Sequence, residues 1–177
     1  MAENEPEPAP GVLLIADPTL KDPNFRRRVV LLCEHNDEGS LGLVLNRETD
    51  VTLNELLDDL AEYERSVYLG GPVQPNMLNV LHRHGEIVEE SQEVVEGVNW
   101  GGGVEAIQQL LAAGHGDADD VRFFLGYAGW APGQLDDEIE QGGWILTHAP
   151  GDLLFELEPD QLWRALLRRM GGEYAIM

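Results

Sequence analysis

Three polar side chains at the ends of two strand-like segments could bind a polar ligand together. Glu34 ends the apolar run VVLLCE, Asn46 ends the run LGLVLN, and Arg47 follows directly. A carboxylate, an amide and a guanidinium at one sheet edge would offer hydrogen-bond donors and acceptors in fixed directions. The same groups also fit a salt bridge, from Glu34 to Arg47 or Arg27, that secures a hairpin. The sequence leaves both interpretations open.

The segment LGYAGWAPGQLDDE, at positions 125–138, gathers aromatic residues and glycines where an apolar strand ends. Tyr127 and Trp130 present flat amphipathic faces. Gln134 can both donate and accept hydrogen bonds, and Glu138 lies one helical turn later. Such a segment either plugs the core or frames a binding pocket.

A pair of glycines, Gly70 and Gly71, ends another strand-like run. Glycine pairs permit a tight turn beneath a neighbouring element, or a backbone wall that a ligand approaches closely. We expect these two glycines and His82 to border the same pocket as the residues above. Non-enzymatic binding there is the leading interpretation. The alternative is an enzyme that uses Glu34 or His35 as its acid or base.

Recognised catalytic signatures do not occur in the chain. It has no GxSxG, no phosphate-binding GxxxxGK[ST], no HExxH and no GxGxxG. Cys33 and His35 would share one face of a strand, but two ligands are too few for zinc. We therefore expect no metal and no cofactor, and the sequence does not decide whether the protein is an enzyme.

Charge and composition restrict the class of partner. The 177 residues include 33 acids and 11 bases, giving a net charge of −22, and Lys21 is the only lysine. This charge repels phosphate backbones, so direct nucleic-acid binding is disfavoured. It is typical either of general solubility or of adaptation to a salty cytoplasm, and we expect the latter. The partner is then a small ligand or a protein.

Length and terminal composition predict one cytoplasmic domain. Hydrophobic residues make up 43% of the chain, without an apolar run long enough to span a membrane. The first ten residues are acidic and proline-rich, unlike a signal peptide. We expect a disordered acidic tail over 1–10 and a single domain over 11–177.

Periodicity predicts an α+β fold with a mixed or antiparallel sheet, because hairpins alternate with isolated helices. Strands are predicted at 12–16, 29–34, 41–46, 66–69, 79–82, 93–98, 121–127 and 144–147. Thr52 and Glu55 form a capping-box pattern that predicts a helix to about residue 63. Further helices are predicted at 103–113, 132–141 and 159–170.

Six segments, in their order and spacing, resemble the AlgH/YqgE family of bacterial proteins. They are GVLLIADPTLKDPNF (11–25), VVLLCEHNDEGSLGLVLNR (29–47), YLGGPV (68–73), VLH (80–82), LGYAGWAPGQLDDEI (125–139) and WILTHAPGDLLF (144–155). The resemblance covers roughly residues 11–172. The chain departs from the family's usual pattern at Arg28, Glu48, Ala131, Asp136 and 147–151.

The resemblance implies an α+β fold on a bent, mixed and largely antiparallel sheet with flanking helices. It also brings the family's label of transcriptional regulator. No helix-turn-helix pattern accompanies that label in this sequence, and the net charge of −22 opposes DNA binding. Any regulation of transcription is therefore expected to be indirect, through a small ligand or a protein partner.

Overall fold

The computed structural model describes residues 5–57, 60, 63–85, 88, 90–101, 104–114, 118–148, 153–156 and 158–171. These residues form ten strands and five α-helices, which confirms the predicted α+β class. The strands are β1 (Val12–Ala16), β2 (Val29–Asn36), β3 (Gly39–Val44), β4 (Glu48–Thr52), β5 (Ser66–Leu69), β6 (Val73–His82), β7 (Ser91–Val95), β8 (Val98–Gly101), β9 (Val121–Trp130) and β10 (Trp144–His148). The helices are α1 (Leu53–Leu56), α2 (Val104–Ala112), α3 (Gln134–Glu140), α4 (Leu153–Glu156) and α5 (Pro159–Met170).

All ten strands join in one curled sheet. Its main order is β10-β1-β2-β3-β9-β6-β8-β7, and the β4–β5 pair attaches to β9 through β5. The pairing of β5 with β9 is parallel, and the other described pairings are antiparallel. The sheet is therefore mixed and largely antiparallel, as predicted. Among the described residues, no helix is long and apolar enough to cross a membrane.

The first hairpin confirms its prediction and is longer than expected. The β2 and β3 strands pair from Val30 opposite Val44 to Asn36 opposite Gly39, leaving a two-residue turn. In that turn, the Asn36 side chain accepts the Glu38 N–H at 2.8 Å. Gly39 has a φ of +132°, which favours glycine at this position. The hairpin holds its polar tip at the same end of the sheet as the end of β9, because Ser40 pairs with Trp130.

A glycine kink bends the central strand β9. Gly126 has a φ of +72°, and a Cβ built there would lie 2.5 Å from the Gly71 carbonyl oxygen. The Asn79 side chain bonds to the Gly126 carbonyl at 3.1 Å. The bent sheet packs against two separate apolar clusters. One lies under β1, β2 and α5, and the other lies under α2.

The helix predicted from the capping box at Thr52 begins there as expected but is much shorter than the predicted span to about residue 63. Positions 58, 59, 61 and 62 of that span lie outside the described residues. Residues Glu48–Thr52 form a strand, and α1 is a single turn, with Leu57 already extended. The chain turns back after this single turn, because the Leu53 N–H donates to the Arg65 carbonyl at 2.8 Å and the Asn54 N–H donates to the Tyr63 carbonyl at 3.1 Å. The Thr52 hydroxyl bonds to the Asn54 side chain and makes no cap bond.

Other boundaries also differ from the sequence-based expectations. The strand expected at 79–82 begins at Val73, and the edge strand expected at 93–98 is a hairpin that turns at Gly97, whose φ is +79°. Helix α4 was not predicted. Helices α2 and α5 are confirmed, with Gly114 left-handed directly beyond α2. Of the segment 1–10, residues 5–10 are described, and the Glu5 carboxylate accepts the Leu146 N–H at 2.7 Å.

Candidate ligand-binding site

The carboxylate of Glu138 organises the end of β9 and the helix that follows it. Its Oε1 accepts the indole N–H of Trp130 at 3.1 Å and that of Trp144 at 3.0 Å. Its Oε2 accepts the Gln134 amide at 3.0 Å, and Gln134 in turn accepts the Ala131 N–H at 3.0 Å. Both indoles lie in the core, so this network fixes α3 against β9 and β10.

Aromatic packing extends this network into a cleft. The Phe25 ring stacks on Trp130 with centroids 5.9 Å apart and meets Trp144 edge-on at 5.6 Å. A cleft of about 520 Å³ opens beside these rings and is called the tryptophan cleft here. Its lining residues are Thr19, Leu20, Lys21, Asp22, Phe25, Gly129, Trp130, Gln134, Glu138, Gln141, Gly142, Gly143 and Trp144. Flat rings at the base and polar groups at the rim suit a small polar molecule with a flat face.

A second cleft lies on the other side of the same strand end. This hairpin cleft, of about 420 Å³, is lined by Glu34, Asn36, Glu38, Gly39, Ser40, Leu41, Val73, Tyr127, Gly129 and Trp130. His35 does not line this cleft, but its Nδ1 lies 2.6 Å from Oγ of Ser40, which does. On the far side of the ring, His35 Nε2 lies 3.9 Å from Asp136 Oδ1. Gly129 and Trp130, at the end of β9, line both clefts and separate them.

Five of the ten predicted site residues border these two clefts. Glu34 and Tyr127 line the hairpin cleft, Gln134 and Glu138 line the tryptophan cleft, and Trp130 lines both. The other five lie elsewhere: Asn46, Arg47, Gly70, Gly71 and His82. The structure thus brings together only part of the expected pocket.

Asn46 holds the chain that enters β2. Its side-chain oxygen accepts the Val29 N–H at 3.0 Å, and its amide donates to the Arg27 carbonyl at 3.0 Å. The Arg28 guanidinium bonds to the Asn46 carbonyl at 2.8 Å, and burial followed by repulsion from Arg47 lowers the pKa of Arg28. Asn46 is buried and uses its side chain to fix backbone, so it faces the protein interior.

Replacement of Asn46 by alanine should therefore destabilise the fold. The buried Val29 N–H and the part-buried Arg27 carbonyl would lose their partner, which costs about 1–3 kcal/mol, mainly at Val29. Urea unfolding followed by circular dichroism measures this change. The exposed Asn24→Ala serves as the matched control, with an expected change within about 0.5 kcal/mol. Equal stability of the two variants would contradict a fixing role for Asn46.

The glycine pair packs against β9. A Cβ on Gly71 would lie 2.1 Å from the Tyr127 carbonyl carbon, and one on Gly70 would lie 2.4 Å from the Gly126 oxygen. Gly71 and Arg47 also border a minor pocket of about 10 Å³, too small for an organic ligand. The geometry of Gly70 and Gly71 is thus that of a turn packed beneath a neighbouring strand.

His82 lies at the opposite end of β9 from Trp130. It pairs with Val121, and nine residues of strand put it roughly 25–30 Å from Trp130. Its Nδ1 accepts the His84 N–H at 3.0 Å, and its Nε2 lies 3.1 Å from the Gly101 carbonyl oxygen. Burial is the main cause that lowers the pKa of His82, and the bond to Gly101 opposes it. A neutral ring with its proton on Nε2 satisfies both contacts.

The cysteine is buried in β2. Burial, reinforced by the neighbouring Glu34 charge, raises the pKa of the Cys33 thiol. The pairing of β2 with β3 shifts register between Leu32 and Glu34. The strict alternation of side chains that would place Cys33 and His35 on one face of the strand is therefore interrupted at Cys33. Cys33 acts as a small core side chain and is a poor nucleophile.

Sequence reasoning missed several residues of the two clefts. Phe25, Lys21, Ser40 and Trp144 were not among the expected site residues. The signal for Phe25 was available, since it is the one aromatic residue in the polar connector 20–28. Ser40 carries no local signal, because only strand pairing with His35 gives it a partner.

Fold and site together define an α+β protein with a curled sheet and paired clefts at one end of its central strand. The chain belongs to the AlgH-like family, whose model matches residues 13–175. The resemblance seen in the sequence is thereby confirmed.

Relatives share most of their length with this chain. UPF0301 protein CT0663 of Chlorobaculum tepidum is 42% identical, over 93% of this chain and 88% of its own. A UPF0301 protein of Cytophaga hutchinsonii is 39% identical, over 94% and 92%. The solution structure of the AlgH protein from Pseudomonas aeruginosa has a TM-score of 0.75 and 33% identity, covering 94% of this chain and 90% of its own. The crystal structure of protein DIP2367 from Corynebacterium diphtheriae has a TM-score of 0.84 at 24% identity, covering 99% and 94%, and shares the fold.

Proposed function

We propose that this protein is a non-enzymatic binding protein that holds a small ligand in the tryptophan cleft. One observation carries the proposal: the Glu138 network and the Phe25 ring fix two indoles at the base of a cleft of about 520 Å³. A wall whose rotamers are already fixed loses little entropy when a ligand binds. The exposed Gln134 and the charges of Lys21 and Asp22 at the rim would orient polar groups of the guest.

The hydrogen bonds within the cleft favour binding over chemistry. Each oxygen of Glu138 already accepts at least one internal hydrogen bond, so this carboxylate is held as a structural acceptor. The guest is therefore expected to be a small polar molecule with one flat ring. It would stack on or beside Phe25 and bond to the rim.

A thermal-shift screen of nucleotides, sugar phosphates, amino acids and flat-ring fragments in high salt tests this proposal. A ligand at about 100 times its Kd adds about 2.7 kcal/mol of stability. We expect one chemically related group of hits, weakened at least tenfold by Gln134→Ala and by Phe25→Leu. The exposed Asp137→Ala on the same helix is the matched control. A flat screen, or hits unaffected by both cleft variants, would contradict a small-ligand site and favour a protein partner.

A second candidate function is catalysis at the edge of the hairpin cleft, favoured by the contact between His35 and the lining residue Ser40. In this alternative, Ser40 Oγ attacks an ester carbonyl while His35 Nδ1 takes its proton, and Asp136 lies on the Nε2 side of the ring. The ester C–O bond then breaks, and His35 returns the proton to the leaving alcohol, which leaves an acyl group on Ser40. The exposed Glu34 at the rim is the other acid or base expected from the sequence.

Labelling with a fluorophosphonate probe separates catalysis from binding. If the second candidate is right, the probe labels the intact protein, and both Ser40→Ala and His35→Gln abolish labelling. Mass spectrometry would place the adduct on Ser40. Unlabelled protein, or an adduct elsewhere, would exclude this alternative. The proposal of a non-enzymatic binding protein predicts that the probe leaves the protein unlabelled.

Two broader interpretations also stay predictions. Regulation of transcription would be indirect, because the net charge of −22 opposes contact with DNA. Adaptation to a salty cytoplasm would explain the same charge, since salt screens the repulsion between surface carboxylates. Neither is needed for the tryptophan cleft to bind a ligand.

A further inference from the structure

A third cavity, distant in the fold from both clefts, opens where β5 separates from β9. The parallel pairing joins Tyr68 to Phe124 and Leu69 to Leu125. The same register would place Ser66 opposite Arg122, but the pairing ends at Tyr68. The gap holds a cavity of about 90 Å³, whereas one water molecule needs only about 10–15 Å³. A small organic molecule therefore fits where a continuous sheet would leave no space.

The inner wall of this gap cavity is apolar. Leu53, Leu111, Val121 and Phe123 line it, and all four are buried. They belong to the apolar cluster under α2, so the cavity reaches into one of the two cores. A hydrocarbon or aromatic part of a guest would be removed from water there, which favours its binding.

A half-buried guanidinium lies at the polar side of the cavity. The Arg122 Cζ is 5.3 Å from the Tyr68 ring centroid and 5.8 Å from that of Phe155, and its Nη2 donates to the Phe155 carbonyl at 3.1 Å. No carboxylate in the described part of the chain lies within 4.0 Å of it. Beside its bond to the Phe155 carbonyl, the planar guanidinium presents further N–H groups in a fork that fits a carboxylate.

Neighbouring charges limit the guest to one negative charge. At the rim, Arg65 is already paired with Asp119, so Arg122 supplies the main unbalanced positive charge. Glu48 and Glu158 act on the Tyr68 hydroxyl and would repel a dianion. Burial raises the pKa of Tyr68, so its hydroxyl stays protonated and can donate.

We propose that the gap cavity binds a small monocarboxylic acid with a short apolar or aromatic tail. The carboxylate pairs with the Arg122 fork beside the hydroxyls of Tyr68 and Ser66, and the tail enters the apolar wall. This site is independent of the tryptophan cleft, so either proposal can fail without the other.

Titration of 4-fluorobenzoate into the full chain, followed by fluorine NMR, tests the gap cavity. The neutral 4-fluorobenzamide has a closely similar shape without the charge and should bind at least tenfold more weakly. Arg122→Met should weaken benzoate binding at least tenfold. The matched control Arg164→Met removes the same charge from an exposed position on α5 and should leave binding unchanged.

A second variant keeps the test valid if Arg122→Met does not fold. Ser66→Leu leaves the charge in place and fills the cavity, and it should also abolish binding. Nuclear Overhauser contacts from the guest should reach Phe155 and Leu53. Equal binding of benzoate and benzamide, retained binding in both variants, contacts to Trp130, or displacement by inorganic phosphate would each overturn the proposal.

Discussion

Replacing Glu138 with alanine will destabilise the protein by about 2–4 kcal/mol. The change removes the acceptor shared by two indole N–H groups, those of Trp130 and Trp144, and a buried donor without a partner costs about 1–3 kcal/mol. Trp130 and Trp144 are only 5% and 3% exposed, so water replaces the carboxylate poorly. Urea unfolding gives the free energy, and near-ultraviolet circular dichroism reports the indole environment.

Two further variants separate the effect of losing the Glu138 hydrogen bonds from the effect of changing a charge on α3. Glu140→Ala, at an exposed position on α3, removes the same charge and should change stability by less than about 0.5 kcal/mol. Glu138→Gln keeps one oxygen acceptor and should fall between the two alanine variants. If Glu138→Ala were as stable as Glu140→Ala, the carboxylate would not organise this end of the fold.

Replacing Gly71 with alanine should cost about 3–5 kcal/mol or prevent folding. The new Cβ would lie 2.1 Å from the Tyr127 carbonyl carbon and 2.3 Å from the Ala128 nitrogen. Both are backbone atoms of the central strand, so relief requires β9 itself to move, which places the cost at the upper end for overpacked sites. Thermal unfolding and the yield of folded protein measure the effect.

The neighbouring glycine on β9 offers a matched control. A Cβ on Gly129 would meet nothing closer than the Val73 side chain at 3.6 Å, an ordinary contact. Gly129→Ala should therefore leave stability unchanged or raise it slightly, because alanine restricts the unfolded chain. A similar loss at both positions would mean that general strand strain, and not the close approach of the turn at Gly71 to β9, explains the result.

Sequence patterns predicted the elements whose form is set locally. The short apolar run Val12–Ala16 stops at Asp17-Pro18, and α5 carries a helical period, and both elements were predicted with the observed bounds. The capping-box helix is limited to one turn: the Thr52 hydroxyl bonds to the Asn54 side chain instead of capping, and the Asn54 N–H donates to the Tyr63 carbonyl, nine residues along the chain. Such competition between a local motif and a distant backbone partner cannot be read from the motif.

The candidate site was likewise predictable where its residues are close in the sequence, and not where distant strands decide their position. The residues at 127–138 share one strand end and one helix, so their proximity was foreseeable from the sequence. His82 and Asn46 were grouped with them by residue type, and the pairing of β6 with β9 places His82 at the far end. Asn46 faces inward because two backbone groups need its side chain. Strand order and register, which no single sequence states, decide these placements.

The central claim, that the tryptophan cleft binds a small ligand, is tested most directly through its own indole resonances. In nitrogen-labelled protein, titration with the hits of the thermal-shift screen should shift the indole N–H signals of Trp130 and Trp144. The signal of Trp163, which donates to the Ala16 carbonyl at 2.8 Å under α5, should stay fixed as an internal reference. Saturable shifts confined to the first two signals are the predicted result. Hits that leave both signals in place would contradict the account.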